Sequence, residues 1–274
     1  PAMEATISRP LDFAAVTDHA EQFGQVALCQ DKRSEQYASK SCKKLRKGIK
    51  NMPSMKHTVP KIAMLSIELN SKNICGESGG LCVDASFAPW RETVKAAQDA
   101  NLPCPFTSFS GYEYSGLDNR GAVHRTIIFR NENVRELTIS RVQGPDSLVM
   151  LAQLEKECNL AGNGCDALSI PHNPNLSNGR MFALDYRGEA NEKKQAELAA
   201  LRARMEPVVE MIQVKGESEC RNDLWKVVGA PDEFCDFEKF RQWDNQEIPA
   251  LPFPMSWVNP LAKFLWPSED CEGS

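Results

Sequence analysis

LDFAAVTDHAE, residues 11–21, decides how the fold is read. An apolar run ends abruptly in Thr17, Asp18 and His19, so residues 11–17 are predicted to be a buried strand with ligand-type side chains at its end. The design recurs in FTSFSGYEYSG (106–116), which carries Glu113, in VHRTIIFR (123–130), which carries His124, and in ALSIPHNPN (167–175), which carries His172. Three of the four histidines therefore sit at the ends of strand-like runs, while His57, in MKHT, has no such setting and reads as a surface residue. Histidine and carboxylate gathered at strand ends are what a metal centre at the mouth of an α/β barrel requires.

Working outward, strands are predicted over 105–114, 122–130, 166–172 and 207–215, and helices over 89–100, 146–158 and 190–205. Residues 190–205 are the clearest helix, rich in strong helix formers with an apolar stripe. Residues 61–70 fit strand and helix equally, and 75–82 reads as a glycine-rich turn. A polar excursion at about 29–60 and a proline-rich, aromatic tail after about 240 interrupt the alternation. Strands alternating with helices imply an α/β class with a mostly parallel sheet and crossover helices. The whole chain, residues 1–274, is expected to form one domain.

The net charge of −5 argues against a nucleic-acid partner, whose phosphates demand a basic face. The basic run KSCKKLRKGIK, residues 40–50, is short and reads as a solvated face. No apolar run approaches the roughly 20 residues that span a bilayer, and PAMEATISRP lacks signal-peptide architecture. Ten cysteines without a CxxC pair do not suit a zinc ribbon. Cys75 and Cys82, Cys158 and Cys165, and Cys220 and Cys235 have the look of short-loop disulfides, which points to a periplasmic or secreted location.

Each candidate also has a bland reading. Asp18 and His19 fit a capping aspartate beside a surface histidine. Glu113 lies among aromatic and small residues, where an unpaired carboxylate is costly to bury. It fits a bridge between two cations, or a partner for Arg120 or Arg125. His124 beside Arg125 offers an imidazole ligand next to a cation suited to an anionic substrate, or a satisfied core histidine. His172 follows Pro171 and precedes Asn173 and Asn175, which could donate to a substrate oxygen or simply form a turn. The chain has no GxSxG elbow, P-loop or GxGxxG, so serine-nucleophile and nucleotide-binding classes lack support.

At these motifs the chain resembles the polymerase and histidinol phosphatase (PHP) superfamily of metal-dependent phosphoesterases, and within it the bacterial group catalogued as domain of unknown function 3604. The stretches that carry the likeness are RPLDFAAVTDHAE, FTSFSGYEYSG, VHRTIIFRN, SIPHNPNLSNGRMF, EPVVEMIQVKGESECR and DEFCDFE, from residue 9 to about 238. The resemblance implies a distorted (β/α)7 TIM-like barrel with a di- or trinuclear site. By motif, Asp18, His19, Glu113, His124 and His172 would be metal ligands, with Glu113 bridging, and Glu210 and Lys215 would face the site. The group's cysteine pattern matches Cys75, Cys82, Cys158, Cys165, Cys220 and Cys235. The superfamily's opening HxH pair and closing DxH are missing; the tail LWPSEDCEGS has Asp270 but no histidine. The barrel is therefore expected to be incomplete at both ends.

The resulting expectation is a hydrolase of phosphoesters using one to three divalent ions (Zn, Mn or Fe) on a small anionic ester. Asp18, His19, Glu113 and Arg125 would be catalytic, and Arg125, Asn173, Asn175 and Lys215 would hold the substrate. Two alternatives stand beside it: a non-catalytic or weakly active PHP-fold relic or fragment lacking the HxH and DxH ligands, and a metal-dependent amidase or lactonase.

Overall fold

The structure, a computed structural model, describes residues 9–50, 72–118, 121–172, 177, 180–182, 189–210, 212–213 and 216–217; for 48–50, 118, 121, 212–213 and 216–217 it describes backbone only. In chain order the elements are β1 (Phe13–Val16), α1 (Ala20–Gln30), α2 (Lys40–Lys50), α3 (Lys72–Cys75), α4 (Gly80–Ala85) and α5 (Phe87–Ala100). Then come β2 (Thr107–Tyr114), β3 (Leu117–Asp118), β4 (Gly121–Ala122), β5 (Arg125–Phe129) and α6 (Ser147–Leu154), which runs into a π-turn over Glu155–Asn159. Last are β6 (Ala167–Pro171), α7 (Glu192–Met205), β7 (Ile212–Gln213) and β8 (Gly216–Glu217).

The expected (β/α)7 barrel, distorted and incomplete at both ends, is not what forms. Among the described residues the main sheet is open and mixed, with four strands in the order β1-β2-β5-β6. β1 and β2 are parallel, whereas β5 lies antiparallel to both β2 and β6. The reason is connection length. A parallel neighbour needs a crossover of a dozen or more residues. Only the ten residues 115–124 separate β2 from β5, and part of them folds into the small β3–β4 ribbon. The chain must therefore turn back on itself.

Sheet register divides the side chains into two faces. Tyr112 lies opposite Ile127, Tyr114 opposite Arg125, and Ile127 opposite Ser169, and all of these are buried. On this face the core collects Phe23 of α1, Trp90 and Val94 of α5, Leu151 and Leu154 of α6, and Leu201 and Met205 of α7. Trp90 is its hub, with ring centroids 5.5 Å from Tyr112 and 5.8 Å from Phe129, and its indole N–H donates to the Arg135 carbonyl at 2.9 Å. An aromatic group of this kind contributes about 0.5–1.5 kcal/mol per pair beyond the burial of its area. The other face carries Glu113 opposite Thr126, and Thr126 opposite Ile170.

Helix ends follow local chemistry. The Asp146 carboxylate accepts from the amides of Leu148 and Val149 to start α6, and Asn191 caps α7 through Lys194. The glycine-rich turn between α3 and α4 holds Gly76 and Gly79 at φ of 77° and 78°, a region open to glycine at little cost. Two expectations need revision. β1 is exposed rather than buried, with Phe13 at 63% and Val16 at 71%, because it is the edge of the described sheet. Residues 207–210 do not form a ladder strand, although the Glu210 amide donates to the Pro171 carbonyl at 3.0 Å. The ambiguous 61–70 segment and the tail after 240 lie outside the described residues.

Disulfides link Cys29 to Cys42, Cys75 to Cys82, and Cys158 to Cys165, and Cys104 is disulfide-bonded as well. The first two, with Leu45 and Ile74, make a second small core that ties α1 to α2 and α3 to α4. Closing loops of this length is worth on the order of 2–3 kcal/mol each. Cys75–Cys82 and Cys158–Cys165 are the neighbours singled out by spacing; Cys220 and Cys235 lie outside the described residues. Three such bonds fit an extracellular location. Among the described residues, no helix is long and apolar enough to cross a membrane.

Candidate metal centre

Strand directions decide what meets at the sheet edge. β1, β2 and β6 run the same way, so their carboxyl ends share one edge, and β5, running the other way, begins there. His19 stands just past β1, Glu113 near the end of β2, His124 immediately before β5 and His172 immediately after β6. The β1–β2 pairing is prolonged by a bridge between His19 and Glu113, with the Glu113 amide donating to the Asp18 carbonyl at 2.8 Å. Parity then aims the side chains. His124 shares the face of Thr126, and His172 that of Ile170, the same face as Glu113.

The result is one carboxylate oxygen facing three imidazoles. Glu113 Oε1 is 3.2 Å from His19 Nδ1, 2.8 Å from His124 Nδ1 and 3.3 Å from His172 Nε2. The ligand atoms of His19, Glu113 and His124 lie within 4.8 Å of one another. Metal–nitrogen and metal–oxygen bonds of about 2.1 Å at angles of roughly 90–109° separate neighbouring donors by about 3.0–3.4 Å. Glu113 Oε1 stands at that spacing from His19 and His172 and slightly closer to His124. His172 reaches the same oxygen from beyond His124, whose ring centroid is 6.1 Å away, while the rings of His19 and His124 are 5.9 Å apart.

The electrostatics suit a cation. Burial acts to raise the pKa of Glu113, but hydrogen bonds from His124 and His172 and the charges of His19 and His124 outweigh it. The carboxyl is held well below its usual range, so it is ionised and ready as a ligand. Around it sit groups that orient the rings. The Ser115 hydroxyl touches His19 Nδ1, and Thr126 Oγ1 lies 3.2 Å from His172 Nδ1. Glu21, in the first turn of α1, accepts from the amides of Ser115 and Arg141 at 3.1 Å, and so ties α1 to the loop after β2.

The sequence-predicted residues divide. Glu113, His19, His124 and His172 come together. Asp18 does not join them: its side chain is exposed, and it is not in the ligand group found among the described residues. Its neighbour His19 points into the cluster, and adjacent residues of an extended segment point opposite ways. Arg125 faces the core, one residue out of phase with His124, and its side chain is 2% exposed. Its Nε donates to Glu206 Oε1 at 2.7 Å and its Nη1 to the Val123 carbonyl at 2.5 Å, which commits it to the fold and leaves it no grip on a substrate. Glu210 lies beside β6 through its backbone. Asn173, Asn175 and Lys215 are outside the described residues.

Sequence reasoning missed Ser115, Thr126 and Glu21. Thr126 was open to it, being two residues after His124 on a strand and so on the same face. No signal links Glu21 to Ser115 or Arg141, which are 94 and 120 residues away. No curated protein and no solved structure matches the chain. A family model does match, over residues 1–253, and the chain accordingly belongs to the family described as Protein of unknown function (DUF3604).

Proposed function

We propose that the chain is a metal-dependent hydrolase acting on phosphoesters or related anionic esters, exported to the periplasm or secreted. The observation that carries this reading is the convergence of His19, His124 and His172 on Glu113 Oε1 at donor-to-donor spacings of 2.8–3.3 Å. Zinc, manganese or iron would suit a set of imidazole nitrogens and one carboxylate. Such an ion supplies an acidified water as nucleophile and a clamp for the oxygens of the transferred group.

The chain's own residues account for the rest of the site. Glu113, kept ionised, offsets the charge of the ion. His19, His124 and His172 each present a ring nitrogen to the same Glu113 oxygen. The likeness to PHP phosphoesterases rests on the shared motifs, because the open mixed sheet differs from a closed barrel. One observation favours a second reading: with Asp18 turned to solvent, the cluster has four protein donors among the described residues, a short set that a relic keeping the fold without the chemistry would also show.

Elemental analysis of protein purified without chelators tests both. The hydrolase reading expects near-stoichiometric Zn, Mn or Fe, and hydrolysis of p-nitrophenyl phosphate that EDTA abolishes and added metal restores. Protein that stays inactive when each metal is added back would overturn it. A panel of phosphoester, lactone and amide substrates separates phosphoesterase from lactonase or amidase.

A further inference from the structure

His172 has a second nitrogen, and its surroundings favour a proton there. Nδ1 lies 3.2 Å from Thr126 Oγ1 and 3.4 Å from the Ile170 carbonyl oxygen. A carbonyl can only accept and a hydroxyl can accept as well, so both contacts favour a proton on Nδ1. The hydrogen bond from His172 to Glu113 then belongs to the protonated ring, and in the neutral ring Nε2 is bare with its lone pair facing Glu113 Oε1 at 3.3 Å. Two acceptors set against each other repel unless something positive lies between them.

Thr126 is well placed to enforce this arrangement. It is the middle member of a row across three strands, paired with Glu113 on β2 and with Ile170 on β6. A β-branched side chain on a strand is stiff at χ1, so its hydroxyl stays where the pleat puts it. The Ile170 contact, at 3.4 Å, is too long to hold an imidazole by itself.

We propose that Thr126 is a positioning residue that locks His172 in its Nδ1–H tautomer and so presents Nε2 to a divalent cation beside Glu113. The inference rests on the metal reading above and deepens it: Thr126 decides how tightly the His172 side of the site holds its ion. Removing the hydroxyl frees the ring to flip and to populate the Nε2–H form, which cannot ligate through Nε2.

The test combines long-range ¹⁵N–¹H NMR of the histidine rings, on metal-free protein at a pH where His172 is neutral, with calorimetric titration of Zn²⁺ and Mn²⁺. Wild type should show a single Nδ1–H tautomer for His172. Thr126→Val should show a mixture and weaker metal binding by about 10–100-fold, while Thr126→Ser should stay near wild type. Wild type in the Nε2–H form overturns the proposal without any variant, as does Thr126→Val with unchanged tautomer and affinity. If Thr126→Val does not fold, the wild-type tautomer and the Thr126→Ser titration still decide. Wild type that binds neither ion sinks the metal reading alone, since the tautomer is measured without metal.

Discussion

Replacing Glu206 by Gln is expected to destabilise the protein strongly while leaving the metal cluster's own groups untouched. The Glu206 carboxylate sits between two guanidiniums, taking the Arg125 Nε at 2.7 Å on one oxygen and the Arg202 Nε at 2.8 Å on the other. Side-chain exposure is 2% for Arg125 and 4% for Glu206, so water cannot take over if the charge is removed. Breaking a buried pair from one side leaves an uncompensated charge and costs about 3–5 kcal/mol. Glutamine adds to this, because its amide nitrogen can only donate where an arginine also donates. For a chain of this size each kcal/mol is worth roughly 2–4 °C, so a fall of about 10 °C in melting temperature is expected. Urea unfolding followed by tryptophan fluorescence reads the same loss as a lower midpoint. The double variant Arg125→Met with Glu206→Leu should recover part of it, since the buried Arg125 charge goes with its partner while Arg202, at 16% exposure, can turn toward water. A loss below about 1 kcal/mol for Glu206→Gln, together with a raised KM in Arg125→Lys at normal stability, would refute the structural assignment and return Arg125 to the substrate.

Two further outcomes follow from the same coordinates. Burial works to raise the pKa of Glu206, but the charges and hydrogen bonds of Arg125 and Arg202 outweigh it and depress it below the ordinary 4.5. A depressed carboxyl lends stability that is complete above its unfolded pKa and drains as pH falls through the folded value. Unfolding free energy should therefore decline below about pH 4.5, and Glu206→Gln should flatten that decline; identical acid profiles for the two proteins would count against the pairing. Gly24 lies where α1 crosses α4, and a Cβ there would stand 1.8 Å from the Cys82 carbonyl oxygen. Gly24→Ala should cost at least about 3 kcal/mol, measured by thermal unfolding, and a near-neutral change would mean that the α1–α4 approach is looser than drawn.

How much could be read beforehand depended on whether a feature was local. The strand-end placement of His19, Glu113, His124 and His172 is local, and the helix over Glu192–Met205 needed only propensity and a cap. Strand direction is not local. The short 115–124 connection forbade a crossover, but the alternation of strands with helices elsewhere masked that signal, and the parallel barrel was expected instead. Side-chain parity was legible and underused: His124 and Arg125 cannot both face one site from an extended segment, and neither can Asp18 and His19. The Cys29–Cys42 bond was missed because it spans 13 residues of polar sequence, without the glycine turns that mark the other two pairs. Glu21 finds its partners, and Glu206 its partner Arg125, far away in sequence, where one sequence read by itself offers no covariation to find them.

The antiparallel strand that rules out the barrel is also what completes the cluster. In an all-parallel sheet every strand would bring its carboxyl end to the site, and a ligand such as His124, at the amino end of β5, would lie at the far edge. Reversing β5 brings its amino end, with His124 just before it, to the edge where β1, β2 and β6 finish, and sets Thr126 opposite Glu113 by register. The same reversal sets Thr126 between Glu113 and Ile170, within reach of the His172 ring. Arg125, between these two, is turned to the core, where Glu206 fixes the start of the strand. The pleat thus assigns alternate residues of β5 to separate tasks, with ligand and orienting hydroxyl on one face and the anchoring ion pair on the other. A one-residue slip in the β2–β5 register would move Thr126 and His124 to the core face and put Arg125 beside Glu113, trading a cation site for a salt bridge. The short turn between β2 and β5, by holding that register, is as necessary to the site as any of its ligands.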